Sequence, residues 1–572
     1  MKKMPVRKTT KTNKITNLKN HKYIFVIGGV MSGVGKGIAT SSIGTLLQAK
    51  GFSVNLLKVD PYLNVDAGTM NPTEHGEVFV LNSGLETDQD MGNYERFLNR
   101  DLTGDDYITS GMVYKHVIEN ERALKYGGKC VEAIPHIRDE IIHRFEHSAK
   151  LNKSDITVVE IGGTVGDYQN IMFIEAARVM KIRHPEDIVF VMVSYMPVPS
   201  KLGEMKSKPT QNAIRQLNSY GVNADIIIAR SEVPMDHKRK EKIAVSCGVH
   251  TDCVISAPDI ESVFDVPLNF EKDNMSEILM KSLKLKKRPS ARGLGEWKKF
   301  ADNVKAVKKG EKEVNIAIVG KYFNTGDFVL TDAYVSVLEA IKYSAYSQKV
   351  NPKIHTVNAR DFEIPNPDYS SLDKFDGIIV PGGFGESGIE GKLNVIRYAR
   401  EKKIPYFGLC YGMQLMTIEF ARNVLGLKDA NTAEINPKAE HVIIDIMPDQ
   451  KKKIAEGNYG GSMRLGRYEA RLKKGSIARE AYGEDTIYER HRHRYEVNPE
   501  YIEMVLAGGL LFSGTSPDGS LMEIAELPRG EGVGQHPFFL GTQFHPEFLA
   551  RPLRPHPLFS EFIKVAVRRG KK

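Results

Sequence analysis

The feature that most constrains the fold is a strand, a glycine loop and a helix that follow one another near the start of the chain. Residues 23–27 are a continuous apolar run, residues 28–37 contain five glycines, and a helix-forming sequence continues to about Lys50. Another buried-strand pattern, residues 53–60, comes next, and strand–helix–strand units of this kind build parallel α/β sheets. Because 572 residues exceed what one core holds, we expect two or three domains.

The glycine loop has the residue types that bind phosphate. Backbone N–H groups and the start of the helix attract anions, and Lys36 adds a positive charge. Val30 occupies the first glycine position of the standard pattern, and Gly37 replaces the usual Ser or Thr, so the loop is a non-standard relative. A glycine-rich turn without a ligand stays open as an alternative. Lys58 ends the next strand, where ligands of α/β sheets bind, although a solvated strand end has the same pattern.

Carboxylates after the second strand indicate a metal site. The connection is long and polar, and such connections in compact domains are usually functional. Glu86, Asp88 and Asp90 together suit Mg²⁺, and a surface acidic loop explains them equally well. Glu160 ends another buried-strand pattern, and an acid at that position beside a phosphate loop typically holds the Mg²⁺ of a nucleotide. We therefore predict Glu160 as a metal ligand, joined by Asp88 or Asp90.

Composition narrows the class of protein. The chain is 41% hydrophobic and 26% charged, and its four cysteines predict a reducing compartment without a disulfide framework. The chain contains no run of 18 apolar residues, so we expect no membrane span. The first 20 residues contain seven Lys or Arg and no acid, which predicts a disordered tail and no signal peptide. That tail and the phosphate sites explain the net charge of +9 about as well as nucleic-acid binding does.

The second half of the chain repeats the α/β pattern and adds a candidate nucleophile. Residues 314–320 and 377–380 are predicted strands, and residues 334–346 are a predicted helix. In residues 405–414, Pro-Tyr-Phe-Gly-Leu-Cys-Tyr-Gly-Met-Gln, an apolar run turns sharply into a helix at Cys410. The flanking glycines permit a tight backbone, and the start of a helix favours the thiolate form. A buried structural cysteine is the alternative.

A nucleophilic cysteine also needs a base and an oxyanion site. Gly382 and Gly383 follow a predicted strand, and successive glycines there can point N–H groups into a site. His545 and Glu547 are two residues apart, and such residues share one face of a strand. The imidazole can then activate Cys410 while the carboxylate orients the ring.

Motifs in both halves resemble a known family. Gly-Gly-Phe-Gly (382–385), Gly-Leu-Cys-Tyr-Gly (408–412) and His-Pro-Glu (545–547) together resemble the class I glutamine amidotransferases. Ser-Gly-Val-Gly-Lys-Gly, Lys-Val-Asp-Pro-Tyr, His-Gly-Glu-Val-Phe-Val, Glu-Ile-Gly-Gly-Thr-Val-Gly-Asp and Lys-Ser-Lys-Pro-Thr-Gln in the first half resemble the CTP synthase family. The resemblance implies two α/β domains, a P-loop-like parallel-sheet amidoligase domain followed by a class I glutamine amidotransferase domain. We expect a tail at 1–20, the amidoligase domain at 21–285, a linker with a short helix around Trp297 at 286–312, and the amidotransferase domain at 313–572.

The resemblance also implies an activity, which is the ATP-dependent amination of UTP to CTP, the last step of CTP biosynthesis. ATP would phosphorylate the uracil 4-oxygen, and ammonia from glutamine would displace the phosphate. Cys410 would attack glutamine, with His545 as base and Glu547 as its partner. By the same resemblance, the glutamine contacts are Gly383, Tyr411, Gly412, Met413, Gln414, Glu434 and Arg494. Read alone, the run of residues 489–495 around Arg494 also fits a solvated charged strand or an RNA-binding patch.

The implied nucleotide contacts are all in the first half. Those for ATP are Gly33, Val34, Gly35, Lys36, Gly37, Ile38, Lys58, Asp90, Pro258, Asp259 and Ile260. Those for UTP and CTP are Ser32, Lys206, Ser207, Lys208, Pro209, Thr210, Gln211 and Lys242, with Asp167, Tyr168 and Gln169 for inhibitory CTP. From the residues alone, Lys206 and Lys208 fit a solvated basic turn equally well. Asp90 and Glu160 match the Mg²⁺ ligands, and His75 and Val78 match an ammonia passage.

The family further implies GTP as an activator near residues 460–466, a homotetramer, and a cytoplasmic enzyme without nucleic-acid or membrane partners. Pro258 stands where Lys is common in the family, and Tyr411 where Leu is frequent. Two alternatives remain. One is a cobyric-acid-type amidotransferase, whose acceptor is a carboxylate. The other is a catalytically inactive nucleotide-binding scaffold that forms filaments.

Overall fold

In the computed structural model the chain folds into two units that alternate along the sequence. The first comprises the described residues up to Leu63, Ile108–Asp259 and Asn269–Gly293, and the second comprises Asn64–Tyr107, Ile260–Leu268 and the described residues from Leu294. The structure describes residues 21–71, 76–199, 204–289, 291, 293–320, 334–383, 385, 388–447, 450, 452 and 460–571. The predicted tail and His75 lie outside these residues.

A seven-stranded sheet forms the centre of the first unit. In spatial order its strands are Tyr107–Thr109, Val54–Asp60, Ile156–Ile161, Lys22–Gly29, Ile188–Tyr195, Ile226–Ser231 and Val254–Pro258. The pairings from Val54–Asp60 across to Val254–Pro258 are parallel. Most residues of these strands are buried, because parallel sheets are covered on both faces. The predicted parallel α/β fold is confirmed here.

A nine-stranded mixed sheet forms the centre of the second unit. In spatial order its strands are Asn351–Asn358, Glu313–Gly320, Gly377–Val380, Tyr406–Leu409, Phe539–Thr542, Met522–Glu526, Leu511–Thr515, Arg464–Leu472 and Thr486–His493. Pairing is parallel across the first five strands and antiparallel across the rest. Three parallel strands therefore end side by side, immediately before Pro381, Cys410 and Gln543.

Two small sheets contain the remaining strands of the described residues. One contains Asn431–Thr432, Val442–Ile446 and Tyr495–Val497, and the other contains Phe79–Val80 and Glu86–Thr87. The second of these lies in the connection that follows the second strand of the chain, so this connection has secondary structure of its own.

The helices follow the predicted alternation with strands. In chain order the α-helices of the part of the chain that the structure describes are Lys36–Ala49, Gln89–Leu98, Ser110–Arg122, Arg138–Asn152, Ile171–Arg183, Lys208–Ser219, His237–Cys247, Val266–Lys272, Met275–Ser282, Gly295–Lys309, Val335–Ser347, Ile389–Glu401, Tyr411–Asn423, Ile477–Tyr482, Ile502–Ala507 and Pro557–Arg569. Short 3-10 helices include Tyr168–Asn170 and Pro546–Leu549. Within the described part of the chain, no helix is long and apolar enough to cross a membrane.

The segment predicted as a linker contains a well-packed helix. Gly295–Lys309 has 15 residues, which is longer than the short helix predicted around Trp297. The Trp297 indole is buried, donates a hydrogen bond to the Phe264 carbonyl at 2.7 Å, and packs on Phe97 with ring centroids 4.8 Å apart. An aromatic residue buried in this way fixes the helix in the second unit, whereas composition predicted an interdomain linker with a short helix.

Candidate functional site

The glycine loop adopts the predicted strand–loop–helix geometry. The helix Lys36–Ala49 begins directly after Gly35, whose φ of 88° is left-handed, as is the φ of 71° at Gly33. Val30 also adopts a left-handed φ of 77° and is exposed. The non-standard residue at the first glycine position therefore takes a backbone conformation that glycine would adopt without strain.

The Lys36 side chain lies at the carboxyl end of the first strand. Its ammonium donates a hydrogen bond to the Gly163 carbonyl at 2.8 Å. A Cβ atom on Gly28 would lie 2.9 Å from this ammonium, so glycine at this position leaves space for the lysine. The loop and the lysine together form a cationic cradle of the kind that binds phosphates.

An arginine that the sequence analysis missed faces the same loop. A Cβ atom on Gly35 would lie 3.8 Å from Nε of Arg230, and the guanidinium donates to the Asp259 carboxylate at 2.9 Å. Arg230 lies in the strand Ile226–Ser231, next to the strand that ends at Pro258. The signal in the sequence that could have pointed to Arg230 was a single cation within an apolar strand pattern.

Lys58 is buried at the carboxyl end of its strand, which excludes the solvated strand end. Its ammonium lies 2.9 Å from Glu160 and 3.7 Å from Asp60, and all three side chains are almost fully buried. Lys58 and Glu160 are directly opposite in the parallel register of their strands. Two carboxylates around one ammonium supply the hard oxygen donors that Mg²⁺ prefers.

The predicted pyrimidine-nucleotide residues lie at one helix start and on the surface. Ser207 precedes the helix Lys208–Ser219, and its hydroxyl accepts a hydrogen bond from Gln211 at 3.1 Å. Lys206 pairs with Glu204 at 2.7 Å. The exposed members of the predicted set are Ser32, Asp167, Tyr168, Gln169, Lys208 and Lys242.

The three acidic residues that were predicted to suit Mg²⁺, Glu86, Asp88 and Asp90, do not share one set of contacts. Asp88 caps the helix Gln89–Leu98 by accepting from the Asp90 N–H at 2.8 Å. Glu86 is buried and accepts from the Arg492 guanidinium at 2.8 Å. The interpretation of the trio as a surface acidic loop is therefore wrong for Glu86, because a buried carboxylate has to be paired.

Cys410 lies at the turn between the strand Tyr406–Leu409 and the helix Tyr411–Asn423, as predicted. It adopts φ 51° and ψ −98°, a strained conformation for a non-glycine residue. A Cβ atom on Gly408 would lie 2.6 Å from the Gly412 carbonyl carbon, and one on Gly412 would lie 2.1 Å from the Val380 carbonyl oxygen. Both flanking glycines are therefore required by close backbone contacts.

His545 and Glu547 form the predicted pair, but not on a strand. The strand ends at Thr542, and residues Pro546–Leu549 form a 3-10 helix. His545 Nδ1 lies 2.7 Å from the Glu547 carboxylate. Burial lowers the pKa of His545, but Glu547 and Cys410 outweigh this effect and raise it to about 10. The ring therefore carries a proton at neutral pH.

The Cys410 sulfur is surrounded by groups that orient it. His545 hydrogen-bonds to it, the Gln543 amide donates to it at 3.7 Å, and the Arg492 carbonyl lies 3.8 Å away. Gln414 in turn donates to the Gln543 side chain at 3.2 Å. Sequence reasoning missed Gln543 and Arg492, although Gln543 is only two residues before the predicted base.

The loop after Val380 lies against this sulfur and imidazole. A Cβ atom on Gly382 would lie 2.9 Å from His545 and 3.7 Å from the Cys410 Cβ, so a side chain there would displace the ring. The Gly385 N–H donates to the Glu434 carboxylate at 2.7 Å. The structure thus brings the three predicted motifs together at the carboxyl ends of neighbouring strands.

The predicted glutamine contacts 411–414 and Arg494 are close in sequence to Cys410 and Arg492, respectively. Tyr411, Gly412, Met413 and Gln414 form the buried first turn of the helix after Cys410. Arg494 donates to the Ser462 hydroxyl at 2.9 Å and follows the strand Thr486–His493. Most residues of that strand are buried and its two arginines are paired with carboxylates, which excludes a fully solvated charged strand.

Comparisons with known proteins first define the class. The second unit contains a class I glutamine amidotransferase domain, because the model of that family matches residues 329–565. The CTP synthase N-terminus model matches residues 22–285.

Relatives over the whole chain then define the family. A CTP synthase of Halalkalibacterium halodurans is 46% identical over 96% of this chain and 99% of its own length. One of Pyrococcus abyssi is 48% identical over 95% of this chain and 98% of its own. The solved glutaminase domain of Trypanosoma brucei CTPS with bound acivicin is 37% identical over 45% of this chain and 94% of its own, with a TM-score of 0.40. The chain belongs to the CTP synthase family, which confirms the resemblance found in the sequence.

Proposed function

We propose that this protein converts UTP to CTP with ATP, using ammonia released from glutamine at Cys410. The observation that supports it best is the contact of Cys410, on its strained turn, with a His545 ring that is paired to Glu547 at 2.7 Å. A structural cysteine needs neither the strained turn nor a charged imidazole beside it.

In the glutaminase half, the Cys410 thiolate attacks the side-chain amide carbon of glutamine. N–H groups of the loop around Gly383 bind the developing oxyanion. The protonated His545 then donates its proton to the departing ammonia, and afterwards takes one from the water that releases glutamate. Glu547 holds the ring and stabilises its positive charge.

Glutamine would be held around this sulfur. We assign its binding to Gly383, Tyr411, Gly412, Met413, Gln414, Glu434 and Arg494. The Arg494 guanidinium suits the α-carboxylate, because guanidinium and carboxylate pair through two parallel hydrogen bonds.

In the synthetase half, the loop around Lys36 binds the ATP phosphates and Lys58 stabilises the charge that develops during phosphoryl transfer to the uracil 4-oxygen. Asp90 and Glu160 would hold Mg²⁺, which offsets the phosphate charge when bound. Pro258, Asp259 and Ile260 would contact adenine. We add Arg230 to the ATP contacts, since its guanidinium faces the phosphate loop.

The finer assignments follow the same proposal. Residues 206–211 and Lys242 would bind UTP or inhibitory CTP, residues 167–169 the inhibitor, and residues 460–466 would lie near activating GTP. Ammonia would pass His75 and Val78. We also propose a cytoplasmic homotetramer with the predicted domain boundaries. Its four cysteines are free, as expected in a reducing compartment.

The direct test is to mix the purified protein with UTP, ATP, Mg²⁺ and glutamine, and to measure CTP. CTP formation with stoichiometric loss of ATP and glutamine supports the proposal. Glutamine hydrolysis without UTP consumption would instead favour an amidotransferase with a carboxylate acceptor, and no turnover of any substrate would favour the scaffold.

A further inference from the structure

The strand Thr486–His493 contacts both catalytic residues through its backbone. The Arg490 carbonyl accepts a hydrogen bond from the His545 N–H at 2.8 Å. Two residues on, the Arg492 carbonyl lies 3.8 Å from the Cys410 sulfur. Carbonyls two residues apart leave a strand on the same side, so one short stretch of backbone touches both groups. Any shift of this stretch therefore moves a neighbour of the nucleophile and the backbone of its base.

The side chains of the same two arginines are held by carboxylates from the segment Asn64–Tyr107 of the second unit. Arg492 donates to Glu86 at 2.8 Å, and Arg490 donates to both oxygens of Glu95 at 2.9 and 3.0 Å. Glu86, Glu95 and Arg490 are almost fully buried. Buried pairs of this geometry hold their partners firmly, because separating them leaves an uncompensated charge.

The segment that supplies Glu86 is itself fixed against the neighbouring strand. The Arg467 N–H donates to the Asn82 carbonyl at 3.1 Å. Gly84 has a φ of 87°, and a Cβ atom on it would lie 2.9 Å from the Leu465 carbonyl. Burial raises the pKa of Glu86, and the Arg492 cation opposes this effect. The charged form of Glu86 therefore depends on Arg492. Glu86 thus has a firm backbone from which to hold Arg492.

We propose that Glu86 and Glu95 are positioning residues for glutamine hydrolysis, acting through Arg492 and Arg490 on Cys410 and His545. Neither carboxylate touches the sulfur or the imidazole in the described contacts, so neither is a catalytic residue. The inference rests on the proposed glutaminase function. It differs from a purely structural role, because it requires loss of the pair to slow the chemistry of Cys410 beyond any loss of stability.

The test uses Glu86→Gln, which removes the charge and keeps the size of the side chain. The readout is the rate at which iodoacetamide alkylates Cys410 in the full chain, followed by mass spectrometry of the Cys410 peptide at several pH values. The kcat and KM for glutamine are measured in parallel. Glu419→Gln is the matched control, because Glu419 is a fully buried carboxylate that pairs with Arg400 at 2.8 Å away from this strand.

We expect Glu86→Gln to lower the Cys410 alkylation rate and kcat by ~10-fold, since small misplacements of reacting groups carry costs of this order. CTP synthesis from ammonium salts by Glu86→Gln should stay near the wild-type rate. The Cys410 alkylation rate in the control Glu419→Gln should also stay near that of the wild type. Arg492→Lys keeps the charge but loses the Nε–H donor, and should be as slow as Glu86→Gln. The double variant should be no slower than either single variant.

Three results would overturn the inference: an unchanged alkylation rate in Glu86→Gln, an equal loss in Glu419→Gln, or additive losses in the double variant. If the variant does not fold, Arg492→Lys gives the same comparison. Failure of the proposed function looks different, since the wild-type protein would then release no glutamate from glutamine.

Discussion

Replacing Glu547 by glutamine tests how the glutaminase base works. In the wild-type protein the carboxylate, together with Cys410, raises the pKa of His545 to about 10 against the effect of burial. Glutamine keeps the shape but not the charge, so only Cys410 then opposes the effect of burial. The pKa of the ring should therefore fall below its wild-type value of about 10.

The size of the effect follows from this shift. At a pH of about 8.5 the wild-type ring, with a pKa of about 10, is almost fully protonated, whereas above its pKa a ring loses its proton ~10-fold further with each pH unit. The protonated ring donates the proton to departing ammonia, so at alkaline pH glutamine hydrolysis in Glu547→Gln should fall ~10-fold for each unit by which the pKa of the ring lies below that pH.

The assay is the initial rate of glutamate release across the pH range, read at the alkaline side of the profile. The wild-type rate should decline near pH 10 and the Glu547→Gln rate at a lower pH. Glu419→Gln is a matched control, because Glu419 is a buried carboxylate that pairs with Arg400 at 2.8 Å outside the strand Thr486–His493, and it should leave the profile unchanged. A decline near pH 10 in Glu547→Gln, or near pH 7 in the wild type, would refute the reasoning.

Three further predictions concern other parts of the molecule. Lys58→Ala should stop CTP synthesis from either nitrogen source while glutamate release persists, and an active variant would remove Lys58 from the mechanism. Arg230→Ala should raise the KM for ATP ~10-fold in steady-state kinetics without changing the KM for glutamine, which a remote structural residue would not do. Burial lowers the pKa of His536 from 6.5 to about 4, so its contribution to stability is present above pH 6.5 and is lost as the pH falls towards 4. Urea unfolding should therefore show about 3 kcal/mol less acid destabilisation in His536→Gln than in the wild type, and identical pH dependences would contradict this.

Local patterns were sufficient to predict the architecture and the turn at Cys410. Apolar runs that end in glycine loops indicate parallel strands, and the Gly-Leu-Cys-Tyr-Gly turn needs glycine on both sides for contacts that the structure shows at Gly408 and Gly412. The pair of His545 and Glu547 was also found, although the residues lie around a 3-10 turn instead of on a strand. His545 is the non-helical residue that precedes this turn, with φ −109° and ψ 84°, so the pair forms at the start of the 3-10 helix and the strand-based reason for it was wrong.

What sequence reasoning could not find depends on contacts between distant residues. For Lys58 a solvated strand end remained an alternative until its strand register placed it opposite Glu160. Glu86 looked like one of three metal-binding acids, but it pairs with an arginine 406 residues later. Gln543 and Arg230 have no local pattern that marks them, since their importance comes from what other strands place beside them.

The central claim is that ammonia made at Cys410 supplies a separate synthetic site, and Cys410→Ala tests it most directly. CTP formation from UTP and ATP is measured with glutamine and, separately, with ammonium chloride as the nitrogen source. The account predicts no CTP from glutamine and a wild-type rate from ammonium. CTP from glutamine in the variant, or loss of both activities in a variant that still folds, would contradict it.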